Sequence, residues 1–244
     1  KNTLNMLTYS LRDQNADICI LKCMPIKNGF DLCIKTPWGQ GNFYLPLIGE
    51  FNIANVLAVI GVLGIFKMPL EMILQKMAQL KTVHGRMQLF QINNSPQVIV
   101  DYAHTPDALE KALQSIRAHC AGKLMCVFGC GGDRDKTKRP LMGLIADQLA
   151  DHIIITNDNP RSENPETIAQ EILLGAQNKN KFTIMLDRAK AITDAIQNAR
   201  TEDWILIAGK GHETEQVMCD RILHHSDIEC VLAQVAQVAQ VAQD

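Results

Sequence analysis

Short apolar runs alternate with longer segments of helix-forming residues between residues 87 and 208. Strands separated in this way by helices imply a parallel sheet joined by right-handed crossovers, so we predict an α/β fold. Asn93–Pro96, between the first two runs, predicts a hairpin turn. The predicted strands are Met87–Ile92, Gln97–Tyr102, Leu124–Phe128, His152–Thr156, Phe182–Met185 and Trp204–Ala208. The predicted helices are Pro106–Cys120, Pro140–Ala150, Pro165–Ala176 and Arg188–Ala199.

The part of the chain before residue 85 has a different pattern. Three short extended runs, Asp17–Met24, Phe30–Lys35 and Gly41–Leu47, alternate with turn residues and predict an antiparallel β-meander. Apolar stretches rich in helix formers follow, and they predict helices over Asn52–Phe66 and Leu70–Leu80.

The change of pattern between Thr82 and Gly85 predicts a domain boundary. We expect one domain over residues 1–84, a second over 85–232 and a low-complexity tail over 233–244, where Ala-Gln-Val repeats. The tail either extends a helix that begins near Asp227 or frays. Because the chain starts at Lys1 without an initiator Met, we expect it to begin within a longer protein.

Polar, glycine-containing segments follow four of the predicted strands. In parallel sheets, ligands bind beyond the carboxyl ends of the strands, so these segments should form one site at one edge. They are Asp101–Pro106, Gly129–Asp135, Asn157–Arg161 and Gly209–Glu213.

Composition narrows the function classes. The 24 Lys and Arg against 26 Asp and Glu give a net charge of −2, which argues against non-specific nucleic-acid binding. We expect no membrane insertion, because the longest apolar stretch, Val56–Phe66, is shorter than the roughly 18 residues that a span requires. The eight cysteines show no C-x-x-C spacing, which favours reduced thiols in a cytoplasmic protein over a zinc site or disulfides.

The segment Gly129–Asp135 has two readings. Its glycines and the following helix N-terminus are suited to an anion, but a tight turn would need the same glycines. The basic residues nearby favour function, although a run of charges is usually a solvated face. They are Arg134, Lys136, Lys138 and Arg139.

Asp158-Asn159-Pro160-Arg161 can hold a zwitterion, since Asp pairs with an ammonium and Arg pairs bidentately with a carboxylate. The alternative is a turn, with Ser162 or Asn164 capping the next helix.

The remaining candidates are ordinary when taken singly. Functional and turn readings of Gly209–Glu213 are comparable. Asp101 and His104 could hold ribose, metal or phosphate, although a lone His is more often structural. Asn52 and Asn55 share a helix face, and Arg86 lies at the predicted boundary.

Together, six segments resemble the Mur ligases of peptidoglycan synthesis, and the last three resemble the MurE-type branch, which adds the third residue of the peptide. The order and spacing of these segments carry the resemblance. They are Gly49–Asn55, His84–Met87, Asp101–Leu109, Gly129–Pro140, Asp158–Arg161 and Gly209–Glu213.

The resemblance implies the rear of a central ATP-binding domain followed by a Rossmann-like C-terminal domain with a mostly parallel sheet. It implies an ATP-dependent ligase that joins meso-2,6-diaminopimelate to UDP-N-acetylmuramoyl-L-alanyl-D-glutamate through an acyl phosphate. Mg²⁺ would neutralise phosphate charge, so catalysis is mainly positioning and electrostatics. We expect a monomer.

By the same resemblance, Asp-Asn-Pro-Arg marks the diaminopimelate-adding members, because lysine lacks the second carboxylate that Arg161 would pair with. Glu213 would take the ammonium at the same distal centre. The implied pocket is Arg134, Asp158, Asn159, Pro160, Arg161, Gly209 and Glu213. Positions that match the family's ATP site are Asn52, Asn55, Arg86, Asp101 and His104.

The chain also departs from the family pattern, since the phosphate loop G-x-x-x-x-G-K-[ST] occurs nowhere in it. We therefore assign no catalytic or metal-binding residue and expect no ligase turnover from these 244 residues alone. Two other hypotheses stay open. One is a non-catalytic module that binds a diamino acid or a nucleotide. The other is a folate-adding ligase of the same superfamily, which the Asp158 and Gly209 motifs disfavour.

Overall fold

The computed structural model describes residues 6–91 and 95–241, and the chain divides after Lys81 into two compact units. Within the described residues, no helix is both long and apolar enough to cross a membrane. The predicted turn at Asn93 and Asn94 lies outside the described residues.

The first unit is a small sheet packed against two helices. The strand β1 (Tyr9–Ser10) pairs in parallel with β2 (Ile18–Ile26), and β3 (Gly29–Thr36) and β4 (Gly39–Leu45) continue as antiparallel neighbours. This confirms the predicted meander, with β1 as an additional edge strand. Inward-facing residues of the sheet share one core with α1 (Glu50–Ile65) and α2 (Leu70–Met77).

The second unit is built on a sheet with the strand order β5-β6-β10-β7-β8-β9 among the described residues. The first strand is antiparallel to its neighbour and the others are parallel, which confirms the predicted α/β fold. The strands are β5 (Gln88–Phe90), β6 (Gln97–Asp101), β7 (Leu124–Phe128), β8 (His152–Ile155), β9 (Phe182–Ile184) and β10 (Trp204–Ala208). The crossover helices are α3 (Pro106–Arg117), α4 (Lys138–Leu149), α5 (Pro165–Leu173) and α6 (Arg188–Asn198).

Three of these helices have an N-cap residue whose side chain accepts a hydrogen bond from the first turn. Thr105 caps α3 by accepting a hydrogen bond from Ala108 N, and Asp187 caps α6 in the same way. Asn164 caps α5 through Thr167 N, so of the two predicted capping residues it is Asn164, and not Ser162, that acts. Helix α5 ends three residues before the predicted end, because the chain turns at Gly175, where a Cβ atom would overlap Pro140 O.

Two elements after β10 complete the second unit. The hairpin β11 (Glu215–Val217) and β12 (Ile222–His224) was not predicted. Helix α7 runs from Asp227 to Val241, so the Ala-Gln-Val repeat extends the helix as far as residue 241. The predicted boundary at residue 233 falls inside this helix, and residues 242–244 lie outside the described residues.

Candidate functional site

The loops that follow β6, β7, β8 and β10 are joined by backbone contacts at the carboxyl edge of the sheet. Gly209 N donates to Asp101 O at 3.1 Å, and Gly132 N donates to Asn159 O at 2.9 Å. A Cβ atom on Gly132 would overlap Pro160 O, so only glycine allows this approach. The polar loops therefore meet at one edge, as the order of strands and loops predicts.

Asp158 and Gly209 lie at the base of this cluster. Asp158 is buried, and its main-chain oxygen accepts a hydrogen bond from Gln216 of β11 at 2.8 Å. Gly209 has φ +117°, and a Cβ atom on it would lie 2.9 Å from Asp158 Oδ2. The absence of a side chain at Gly209 thus leaves room for the Asp158 carboxylate.

Asn159, Lys210 and Glu213 form a hydrogen-bonded triangle. Lys210 Nζ donates to Asn159 Oδ1 at 3.2 Å and to Glu213 Oε2 at 3.0 Å. Asn159 Nδ2 donates to the same carboxylate oxygen at 3.2 Å. The Lys210 side chain is fully buried, whereas that of Glu213 is 33% exposed. The triangle therefore has a buried cation behind a carboxylate that reaches solvent.

Arg161 lies beside Arg134 at the rim. Its Nη1 donates to Gly132 O at 2.8 Å and to Asn159 O at 3.4 Å. A Cβ atom on Gly131 would lie 2.9 Å from Arg161 Nη1 and 3.8 Å from Arg134 Cγ, so both arginines flank that glycine. Among the described residues, no acceptor is hydrogen-bonded to Nε or Nη2 of Arg161.

The backbone of this loop is held in place on both sides of Arg161. Arg161 has φ +53°, a left-handed conformation that is uncommon without glycine, and its N–H donates to Val217 O at 3.0 Å. Ser162 donates to Asp133 at 2.6 Å, and these hydrogen bonds lower the pKa of Asp133. Arg134 is exposed, with Nη1 donating to Asp133 O at 3.1 Å.

A second cluster surrounds Tyr102. The Arg86 guanidinium lies 4.3 Å from the centre of its ring, and the His212 ring stacks on it at 5.5 Å. The His104 ring is T-shaped to the Tyr102 ring with the two ring centres 4.6 Å apart, and its Nδ1 is hydrogen-bonded to Tyr102 O. Gly85, at φ +65°, packs so closely that a Cβ atom would overlap His212 N. Of these residues, Tyr102 and His212 were not singled out from the sequence.

The other positions predicted for a nucleotide are placed as follows. Asp101 accepts hydrogen bonds from Met87 N at 2.7 Å and Ala103 N at 2.8 Å, so it braces the turn after β6. Asn52 and Asn55 lie in the first turns of α1, in the first unit. Asn52 donates to Ile48 O at 2.8 Å, and Asn55 is exposed.

Two buried arginines hold the loops in place. The sequence indicates Arg139 only as part of a basic run and gives no indication of Arg188. Arg188 pairs with Asp227 through two hydrogen bonds of 2.7 Å, and both side chains are fully buried. Its guanidinium also donates to Asn157 O at 3.2 Å and Ala208 O at 2.9 Å, which joins the ends of β8 and β10.

Arg139, the second of them, is fully buried and therefore does not belong to a solvated face. It donates to Gly131 O at 3.1 Å and pairs with Glu163 and Glu171. The hydrogen bonds from Arg139 hold the pKa of Glu163 at about 2. Arg139 thus fixes the glycine turn that lies between Arg134 and Arg161.

The structure contains no candidate metal centre among the residues it describes. No group of three or more His, Cys, Asp or Glu is placed to hold an ion there. All eight cysteines are free thiols, and burial raises the pKa of Cys130, in the glycine turn, to about 12.

Comparison with known proteins supplies the family. The family model "Mur ligase, glutamate ligase domain" matches residues 85–211. A relative from Coxiella burnetii, named UDP-N-acetylmuramoyl-L-alanyl-D-glutamate--2,6-diaminopimelate ligase, is 50% identical over 233 residues, which are 94% of this chain and 48% of that protein. A relative of the same name from Haemophilus influenzae is 52% identical over 204 residues, 84% of this chain and 42% of that protein.

A solved structure of a ligase with this name agrees with the fold. It is 34% identical, has a TM-score of 0.77, and the match covers 96% of this chain and 48% of that one. The chain thus spans about half the length of the curated relatives it matches. The family model matches more than half of the chain, and the relatives found by sequence and by structure carry the same ligase name. The chain therefore belongs to the Mur ligase family, in its MurE-type branch.

Proposed function

We propose that this chain supplies the amino-acid pocket, and part of the ATP site, of a cytoplasmic ligase that adds meso-2,6-diaminopimelate to UDP-N-acetylmuramoyl-L-alanyl-D-glutamate in peptidoglycan synthesis. ATP transfers its γ-phosphoryl group to the free carboxylate of the dipeptide and leaves as ADP. The amine of the diamino acid attacks the acyl phosphate, the C–N bond forms, phosphate leaves, and the amine loses a proton. The proposed pocket lies in residues 85–232, and residues 1–84 would belong to the ATP-binding domain.

One observation carries the proposal for the pocket: a cation and an anion lie on the two sides of Asn159. Its main-chain oxygen accepts from Arg161 Nη1, and its side-chain amide donates to Glu213 Oε2. A centre that bears both a carboxylate and an ammonium matches this pair. Diaminopimelate has such a distal centre, whereas lysine has the ammonium alone.

Each pocket residue then has a defined role. Arg161 pairs with the distal carboxylate through Nε and Nη2, and Arg134 adds positive charge on the same side. Asp158, buried beside Gly209, and Glu213, at the open side of the triangle, attract ammonium groups. Pro160 and Gly132 keep the two loops at the spacing that brings these groups together. Binding energy therefore goes into orienting the attacking amine, which is the main catalytic need of such a transfer.

For the nucleotide, we propose that the cluster around Tyr102 contacts ATP. The Arg86 guanidinium is exposed on the ring face and suits a phosphate or a base, while Asp101 and His104 lie on the adjoining turn. Asn52 and Asn55 are proposed as further nucleotide contacts, from the family resemblance alone. Mg²⁺ would neutralise the charge of the ATP phosphates when the nucleotide is bound.

Calorimetry of the 244-residue chain with meso-diaminopimelate and with L-lysine tests the pocket. We expect tighter binding of diaminopimelate. Arg161→Ala should weaken it by about 10- to 150-fold, because a charge-assisted hydrogen-bonded pair contributes roughly 1.5–3 kcal/mol. The test measures binding, since the chain contains no phosphate loop for turnover.

Arg200→Ala is the matched control, because Arg200 is exposed and precedes β10 at the opposite end of the sheet. It should leave both affinities unchanged. Equal affinity for the two amino acids in the parent chain, or equal loss of diaminopimelate and ATP binding in Arg161→Ala, would count against the proposal.

A further inference from the structure

Lys210 is a fully buried cation within the candidate pocket. It is the second residue after β10, and its ammonium contacts Asn159 and Glu213 as described above. Burying an ammonium group costs several kcal/mol unless it is paired and hydrogen-bonded, so its two partners are held to it firmly.

Lys210 is one of two donors that orient the side chain of Asn159. Asn159 Oδ1 accepts from Lys210 Nζ and from Val217 N at 2.9 Å, so the amide oxygen must point toward these two donors. The amide nitrogen is thereby turned toward Glu213 Oε2. A neutral apolar residue at position 210 would remove one of the two donors that fix this orientation.

Lys210 also determines which oxygen of Glu213 is available. Oε2 accepts from both Lys210 and Asn159, whereas Oε1 has no hydrogen bond from any residue in the described part of the chain. Since the Glu213 side chain is partly exposed, Oε1 is the oxygen that an incoming ammonium reaches.

Lys210 makes the net charge of the candidate pocket one unit more positive. The other charged side chains there are Arg134 and Arg161, which are cationic, and Asp133, Asp158 and Glu213, which are anionic. Asp133 belongs to this set because the charge of Arg161 lowers its pKa. With its attacking amine neutral, diaminopimelate carries two carboxylates and one ammonium, a net charge of −1. Lysine in the same state has a net charge of zero. Without Lys210 the pocket would be one unit more negative, which disfavours diaminopimelate, with its net charge of −1, more than lysine.

We propose that Lys210 is a positioning residue that determines specificity. It holds Glu213 and Asn159 in the orientation that presents Glu213 Oε1, and its charge makes the pocket favour an amino acid with two carboxylates. This inference rests on the proposed function, because it takes the ligand to be a diamino acid.

The test compares the binding of meso-diaminopimelate and L-lysine by calorimetry in three variants. Lys210→Gln keeps a donor for Asn159 but loses the charge, and Lys210→Arg keeps the charge. Lys181→Met is the control, because Lys181 contacts the main-chain oxygens of Asp147 and Ala150, at the end of α4 away from the pocket.

We expect Lys210→Gln to weaken diaminopimelate binding by about tenfold or more and lysine binding by about threefold or less. Lys210→Arg should keep the ratio of the two affinities to within about threefold, even if both fall. Lys181→Met should change neither. If Lys210→Gln shows no cooperative unfolding transition, Lys210→Met replaces it with the same expected change of ratio.

Equal weakening of both ligands in folded Lys210→Gln would overturn the inference and leave Lys210 with a merely structural role. So would unchanged affinities in that variant. A parent chain that does not prefer diaminopimelate over lysine would instead refute the proposed function, so the two failures are distinguishable.

Discussion

Asp227→Asn removes the negative charge from the buried ion pair beneath the candidate site. The carboxylate of Asp227 and the guanidinium of Arg188 are fully buried and share two hydrogen bonds of 2.7 Å. The same guanidinium holds Asn157 O and Ala208 O. The substitution keeps the shape of the side chain and leaves a buried cation without its counter-charge.

The expected loss is large compared with the stability of a domain. Removing one partner of a buried pair costs about 3–5 kcal/mol, whereas a typical domain is stable by roughly 5–15 kcal/mol. With a urea dependence of about 2 kcal/mol per molar, a loss of about 4 kcal/mol lowers the unfolding midpoint of the second unit by about 2 M.

The loss should also depend on pH. Burial by itself would raise the pKa of Asp227, but the charge of Arg188 and the hydrogen bonds from Arg188 and His225 outweigh it and hold the pKa far below the ordinary value of 3.8. The carboxylate therefore contributes stability above the pKa of the unfolded chain, and this contribution disappears as the pH falls below it. The difference between the parent chain and Asp227→Asn should shrink in strong acid.

Urea titration followed by tryptophan fluorescence measures this loss. Trp204 begins β10 and Trp38 lies in the first unit, so a Trp38→Phe background makes the signal specific for the second unit. Asp220→Asn is the control, because Asp220 is exposed and lies 3.9 Å from Arg221, and it should change stability by less than about 0.5 kcal/mol.

A double variant, Arg188→Met with Asp227→Leu, separates charge from packing. Apolar replacement of a buried pair is often neutral, but the carbonyls of Asn157 and Ala208 would lose their donor. We therefore expect it to recover about half of the loss seen in Asp227→Asn. A loss below about 1 kcal/mol in Asp227→Asn, or a double variant that is less stable than Asp227→Asn, would refute the reasoning.

Three further results are expected, each measured by urea titration. Gly85→Ala should lower the free energy of unfolding by more than about 2 kcal/mol, because strain in the left-handed backbone adds to the overlap with the loop that carries Glu213. The same substitution should weaken diaminopimelate binding in calorimetry. Gly39→Ala, with its nearest atom at 3.7 Å, should cost less. The pair Arg139–Glu163 should stabilise the chain above pH 4.5, and this contribution should disappear as the pH falls toward 2. The free energies of unfolding of Glu163→Gln and of the parent chain should therefore approach each other near pH 2. Leu206→Ala, in the fully buried β10, should cost about 2–5 kcal/mol, while Leu141→Ala, half exposed, should cost under about 0.5 kcal/mol.

Much of the fold could be predicted because most strands and helices correspond to local runs of apolar residues or of helix formers in the sequence. The apolar runs of β7 and β10 match the strands residue for residue, since buried parallel strands are apolar throughout. The gathering of the polar loops follows from the same periodicity. The insertion of β10 between β6 and β7 is a pairing of distant segments, and nothing local in the sequence specifies it.

The buried arginines escaped prediction for a different reason. Arg139 stands in a run of basic residues that favours either a functional role or a solvated face, and neither of these indicates a buried side chain. A signal was present, because Arg139 precedes buried Met142, Gly143 and Ala146 on one helical stripe. Arg188 likewise begins the stripe of buried residues on α6. A cation at the first position of an apolar stripe therefore indicates a buried ion pair at a helix start.

For the candidate site, the sequence predicts which loops lie close together, and it does not predict the hydrogen bonds among their side chains. Asn159, Arg161 and Glu213 lie close together because the loops that carry them follow strands of one parallel sheet and meet at its carboxyl edge. The orientation of the Asn159 side chain, which accepts a hydrogen bond from Lys210, also depends on the hairpin β11–β12, because Val217 N donates to Asn159 Oδ1. That hairpin has strands of three residues with polar side chains such as Glu215, so no alternation reveals it.

The position of β10 bears on how the protein is made. The strand that occupies the middle of the sheet is the last of its strands to leave the ribosome, after β6, β7, β8 and β9 have already emerged. Until then β6 and β7 lack their shared neighbour and expose unpaired edges, which are open to wrong partners. Docking of β10 closes that gap and brings in Lys210 and Glu213, so a nascent chain should complete its sheet and the Asn159–Lys210–Glu213 triangle in one late step.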